Sequence, residues 1–413
     1  MPLRLEKLWY PNTSNWKTAV LSFRKHELTG IILKRPETSS FQVIAPFGKE
    51  IPKGEVICEL VDGMPAITLD EGVLRFLFDP FRMHLLNLGE GFSSSGMSWT
   101  RKTALSFYWK TPSPLRKSIR WLGRHYKTHH IRSLRDLQLI GASSNVIMHL
   151  IQRHLLGDNT AKRKNGTPYA FITHDIDTEF CQTKGSEIVA GVEKKAGVLS
   201  TWFFVPRSIQ YKLNPTSVRK LSDEGHEIGM HGYSHDGTLA LNDPKRLMAQ
   251  LRKGKSDLES IVEKVVSFRS PWTTRSNTLL SVLCSQGFNV DSSFPDRDQL
   301  GMTGGRQGVF YNRPFRPMYV TNENSLEMFP IWEVPITGPQ DVQLIEDLAL
   351  TGNDLLRVWK YKADFCRDFS GVFVHHTHPI HIVNHLQTYS KFLNYLSTSG
   401  YKILKLADFN PIT

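Results

Sequence analysis

Two acids separated by one residue, Asp175 and Asp177, close the run Tyr169-Ala-Phe-Ile-Thr-His-Asp-Ile-Asp. Tyr169 to Ile172 reads as a short buried strand, and strand alternation points the two carboxylates the same way. Carboxylates that converge repel unless a proton, a cation or water relieves them. His231 and His235 stand four apart in His-Gly-Tyr-Ser-His, directly after Glu227-Ile-Gly-Met230. Two imidazoles in such a turn can aim at one point, and imidazole is a common ligand of zinc and similar ions. Two histidines and an aspartate make the three-ligand set of an open catalytic site, with water in the remaining position. Arg269, in Phe268-Arg-Ser-Pro-Trp272, offers a two-pronged hydrogen bond that orients a carboxylate and lowers its pKa. Asp291, followed by Ser-Ser-Phe-Pro295, either holds a histidine in its working tautomer or caps a turn. Last, Val372-Phe-Val runs into His375, His376 and His378, and a histidine has a pKa suited to protonating a leaving amine.

These residues need a scaffold. Strand-like and helical patterns alternate through the second half of the chain. Strands are expected at residues 170–173, 200–205, 227–230, 267–268, 288–290 and 372–374. Helices are expected at 187–195, 217–224, 245–262, 282–286 and 353–368. Such alternation predicts a parallel sheet, open or closed into a barrel, whose sites gather at the C-terminal ends of the strands. Every candidate residue sits at such an end.

Residues 1–165 have another texture. Short strands at 30–33, 41–45, 55–60 and 73–78, then a helical pattern at 134–155, read as a mixed α/β domain that carries no chemical motif. The polar stretch from Gly157 to Pro168 marks the boundary near residue 165. From Arg116 to Arg135 the chain holds seven Lys or Arg and no acid, with Trp121 and Tyr126 interleaved. Such a stretch suits phosphates, anionic lipid heads or an acidic glycan, or is a solvated helix face. No nucleic-acid-binding motif accompanies it, and no nucleic acid is expected as partner.

With 413 residues, 40% hydrophobic and 22% charged, the composition is that of a folded globular protein rather than a disordered one. The net charge of +12 bears on partners and not on fold. Cys58, Cys181, Cys284 and Cys366 are far apart and form no Cys-x-x-Cys, as expected of thiols in a reducing compartment. Met1 to Trp9 lacks the apolar segment of a signal peptide, and no uncharged stretch reaches membrane-span length. The expectation is a cytoplasmic protein.

Taken in order, the motifs resemble the polysaccharide deacetylase family (NodB-like, carbohydrate esterase family 4). Asp175-Ile-Asp177 resembles its first motif, with Ile176 intervening as in the Asp-x-Asp branch that includes peptidoglycan deacetylase and allantoinase-like members. His174 stands where that motif commonly has an aromatic residue. His231 to His235, Arg269-Ser-Pro-Trp272, Asp291-Ser-Ser and His376-Thr-His378-Pro are similar to the following four. The resemblance implies an irregular (β/α) barrel in residues 166–413, behind the mixed α/β N-terminal domain. It implies a metal-dependent hydrolase that removes an N-acetyl group from an amino sugar of a polysaccharide or its precursor. Asp177, His231 and His235 would bind a divalent metal, with zinc the expected ion. Asp175, oriented by Arg269, would be the general base; His378, positioned by Asp291, the general acid, with His376 the other candidate. Trp272 and Tyr233 would wall the sugar site or pack in the core. Alternatives on the same scaffold are a hydrolase of another amide or ureide and a non-catalytic carbohydrate-binding relative. In the cytoplasm the substrate would be a lipid- or nucleotide-linked precursor, with the stretch from Arg116 to Arg135 touching its pyrophosphate or an anionic membrane.

Overall fold

The computed structural model describes the strands between residues 5 and 69, and residues 167–296, 314–320, 326–347, 349–368 and 371–409. The early strands, from Leu5–Trp9 to Met64–Leu69, form one antiparallel sheet. Three expected strands correspond to His26–Lys34, Ser40–Ala45 and Val56–Val61. The strand expected at 73–78, the helix at 134–155 and the basic stretch from Arg116 to Arg135 lie outside the described residues.

The second sheet is parallel. Its strands are β1 (Tyr169–Ile176), β2 (Thr201–Phe204), β3 (Glu227–Met230), β4 (Ser267–Phe268), β5 (Val290–Asp291), β6 (Trp332–Glu333), β7 (Phe373–Thr377) and β8 (Lys402–Leu404). Their spatial order is β6-β5-β4-β3-β2-β1-β7, with β8 on the first half of β1. The two ends of this row meet. The Thr337 N–H donates to the Val374 carbonyl at 3.2 Å, and the Thr337 hydroxyl accepts from the Val374 N–H at 3.0 Å. The sheet therefore curls into an irregular barrel.

Alternation along each strand separates two cores. On β1, Ala170, Ile172 and Ile176 join the layer between sheet and helices, whereas Phe171 enters a second cluster with Phe203, Val290, Val334, Val372, Val374 and Leu406. That second cluster fills the barrel interior. Further along the same strands the inward positions turn polar, at Thr173, Asp175 and Arg269. The sequence itself thus divides the barrel into an apolar plug and a polar mouth.

Helices α1 (Ser186–Ala196), α2 (Pro215–Asp223), α3 (Pro244–Glu259), α4 (Asn277–Ser285), α5 (Gly352–Asp368), α6 (Pro379–Ile382) and α7 (Leu386–Thr398) accompany the sheet. Their starts are written locally. Asn214 caps α2 and Asp243 caps α3, each followed by a proline at the first helical position, and Ser276 caps α4. Each such cap contributes about 1 kcal/mol. Helix α7 packs against α1 and α5 through Tyr389, Phe392, Leu393 and Leu396, all fully buried. Each of these contributes about 1.5–3 kcal/mol by leaving water.

Candidate active site

The expected metal ligands come from two strand ends. Asp177 follows β1, and His231 and His235 lie in the loop after β3. His231 Nε2 is 3.4 Å and His235 Nε2 3.2 Å from Asp177 Oδ1. The turn between the histidines depends on Gly232, whose φ of +62° favours glycine and where a Cβ would come within 2.4 Å of the Pro271 ring. His231 is anchored from behind, its Nδ1 3.0 Å from the Arg269 carbonyl, which fixes Nε2 as the atom facing the cluster. Burial opposes the charge on Asp177, but the imidazoles of His235, His231 and His378 outweigh it and hold the carboxyl well below the usual range.

Asp175 lies beside this cluster, nearly out of solvent. Its Oδ1 accepts from Arg269 Nη1 at 2.9 Å, and its Oδ2 is 2.7 Å from His376 Nε2 and 3.4 Å from His231 Nε2. Burial works against its ionised form, and the charges of His231, His376 and Arg269 overcome that and lower its pKa well below the ordinary value. Arg269 is itself fully fixed. It donates to the Ser292 carbonyl at 2.8 Å and to the Ser292 and Thr173 hydroxyls at 2.9 Å each. Its guanidinium stacks 4.4 Å from the Phe203 ring centroid. That ring lies so close to β3 that a Cβ on Gly229 would come within 2.6 Å of it.

Opposite stands His378. Its Nε2 is 3.5 Å from Asp177 Oδ2, and its Nδ1 is 2.9 Å from Asp341 Oδ1. Asp341 Oδ2 also accepts the His378 backbone N–H at 2.5 Å. Burial disfavours the imidazolium, but Asp341 and Asp177 outweigh it and raise the His378 pKa well above its ordinary value. His376 goes the other way, pulled down to about 4 by burial although Asp175 opposes this. The two imidazoles are thus shifted in opposite directions, His376 down and His378 up.

Residues 162–290 match the sequence profile of the family described as polysaccharide deacetylase. The matched region is similar to polysaccharide deacetylases. Over 106 residues, 25% of this chain and 35% of the relative, it is 30% identical to a peptidoglycan deacetylase of Helicobacter pylori. Over 132 residues, 32% of this chain and 41% of the relative, it is 24% identical to a putative polysaccharide deacetylase of Bacillus subtilis. The alignments thus span well under two thirds of these curated relatives. A solved putative polysaccharide deacetylase from Mycobacterium smegmatis aligns over 58% of this chain and 88% of its own, with a TM-score of 0.47 and 19% identity.

In this site the donor set fits a divalent cation. One carboxylate oxygen and two imidazole nitrogens lie within 4.8 Å of one another, and Asp177 Oδ1 is buried without a hydrogen bond. Ligand atoms on a tetrahedron with bonds of about 2.0–2.1 Å stand roughly 3.3 Å apart, close to the 3.2 and 3.4 Å separations from Asp177 Oδ1.

One expected role moves to another residue. Asp291 does not hold His378; Asp341 does. Asp291 points instead into a buried group, hydrogen-bonded with Ser293 and beside Glu333. The reason is register: Asp291 pairs with Glu333 on the neighbouring strand, while Val290 and Val334 take the inward positions. Asp341 lies past β6, in a stretch without a recognisable motif, and its only sequence signal is an acid shortly after Gly338-Pro339. His376, the alternative acid, is committed to Asp175 through Nε2. Trp272, at φ +60°, packs within reach of Gly237 in the loop that carries His235. Tyr233 packs onto the core, its ring against Gly254 of α3.

Proposed function

We propose that the domain is a metal-dependent hydrolase that removes an acetyl group from an N-acetylated amino sugar. The observation that carries this reading is the convergence of Asp177, His231 and His235 between a fixed carboxylate, Asp175, and a fixed imidazole, His378. Asp177, His231 and His235 would hold a divalent cation, zinc by choice of ligands, which would supply Lewis-acid polarisation of the acyl carbonyl and a lowered pKa for water. Asp175 Oδ2 faces the cluster and takes the proton of the attacking water, while Arg269 holds its other oxygen in place. His378 Nε2, kept protonated through Asp341 on Nδ1, gives a proton to the departing amine. Asp175→Asn should lower the rate by about 10²–10⁴-fold.

The reading extends to the setting. A cytoplasmic protein would meet a lipid- or nucleotide-linked precursor, and the excess of 51 Lys and Arg over 39 Asp and Glu suits an anionic partner or membrane surface. Among the described residues no helix is long and apolar enough to cross a membrane. The test is metal analysis of the purified protein, with acetate release from N-acetylglucosamine oligomers and hydrolysis of cyclic and linear ureides, followed by loss of the ureide, measured before and after chelation. Acetate release that falls on chelation and returns with zinc supports the reading. Ureide turnover alone, or acetate release indifferent to metal, overturns it.

A further inference from the structure

Behind the site, on the helix side of the sheet, lies a polar cluster that the mechanism does not use. His174 is fully buried on β1. Its Nε2 is 2.7 Å from Glu193 Oε1 of α1, and its Nδ1 is 2.8 Å from the Thr377 hydroxyl of β7. Glu193 is fully buried as well. Its Oε1 also accepts from the Tyr389 hydroxyl of α7 at 2.5 Å, and its Oε2 from the Ser200 hydroxyl at 2.6 Å. The carboxylate is thus tied to β1, α7 and the start of β2. The His174 ring lies 4.2 Å from the Trp202 ring, which leaves it little room to turn.

The placement of the two ends gives this cluster its meaning. His174 is the immediate neighbour of Asp175 and lies two residues before Ile176-Asp177. Thr377 sits between His376 and His378. One hydrogen bond therefore joins the residue behind the acids of the site to the residue behind its histidines. The two strands are in register at that point, with Thr377 opposite His174 and His376 opposite Thr173. A buried polar cluster is costly unless every member is satisfied, and helix packing alone would be served by an apolar side chain at position 174.

We propose that His174, Glu193 and the Thr377 hydroxyl form a strut that sets the tips of β1 and β7 against each other, making all three positioning residues for the cation cluster in front. The inference rests on the reading of Asp177, His231 and His235 as a metal centre. The strut acts through geometry: it holds Asp177, and with it His378 and Asp175, in the one arrangement where their atoms face a common point.

The test uses the full chain with Thr377→Val, which removes the hydroxyl and nearly keeps the volume, and Thr377→Ser, which keeps the hydroxyl. Zinc affinity by chelator competition is the deciding readout, with kcat and KM for acetate release beside it. Outer residues that orient ligands typically carry about 10–100-fold in metal affinity or activity. The valine variant is expected to lose about 10-fold in zinc affinity and in kcat with KM little changed, and the serine variant to recover most of both. Unchanged zinc affinity in a folded valine variant overturns the strut, as does a serine variant no better than valine, or a loss confined to melting temperature. Glu193→Gln keeps the volume but turns one of the two carboxylate acceptors into an N–H donor, so where valine does not fold it is expected to show the same loss of zinc affinity, and unchanged affinity there overturns the strut. A wild-type protein that binds zinc tightly but releases no acetate overturns the proposed reaction alone, and the affinity comparison still judges the strut.

Discussion

Asp341 and Asp291 trade places between sequence and structure, and the exchange can be measured. Asp341→Asn should lower kcat about 10²-fold, by weakening the hold on His378 Nδ1, with little change in KM. Asp291→Asn should leave kcat within a few-fold, because its contacts are Ser293 and Glu333. Steady-state kinetics on the two variants decides between them. Most of the site was legible at this scale. Asp175, Asp177, His231, His235, Arg269 and His378 each stand at the end of an apolar strand pattern, and strand alternation carried them to the barrel mouth. Asp341 was not legible, because its position depends on where the chain past β6 returns to β7, and that long-range contact leaves no local pattern.

Among the elements, the close approach of β2, β3 and β4 does the positioning. Gly229→Ala would drive a Cβ into the Phe203 ring, at a distance of 2.6 Å before relaxation. Overpacking of this kind costs about 1–3 kcal/mol. Because Phe203 underlies Arg269, activity should fall together with denaturant midpoint rather than after it. A midpoint unchanged from the parent would show that the ring has room to move. The helical spacing of Leu386, Tyr389, Phe392, Leu393 and Leu396 was available in the sequence as an i, i+3, i+4, i+7 stripe, and α7 follows it. Strand β6 was hidden for a different reason: Trp332–Glu333 is two residues long and makes sense only beside β5.

At the scale of the whole molecule, buried charge shapes the response to pH. Asp291 is raised to about 6 by burial, and Glu333 well above its ordinary value by burial and by Asp291 beside it. A carboxylate raised on folding binds its proton more tightly in the folded state, so its contribution is fully present below about 3.8 and is lost as pH rises through about 6. Relative to the parent, Asp291→Asn should gain stability as pH climbs from about 4 to about 6, on the order of 2 kcal/mol. Parallel urea titrations at several pH values check this, and a difference that stays flat or shrinks over that window contradicts it. The barrel itself was legible in the strand–helix alternation and the motif order. Its closure through Thr337 and Val374 was not, since two hydrogen bonds between distant segments carry it.

The central claim is that one cation sits among Asp177, His231 and His235. Anomalous diffraction at the zinc edge, on crystals grown with zinc, tests it most directly. The account predicts a single dominant peak about 2.0–2.2 Å from Asp177 Oδ1, His231 Nε2 and His235 Nε2. A dominant peak elsewhere in the barrel, or none at that point, would contradict it.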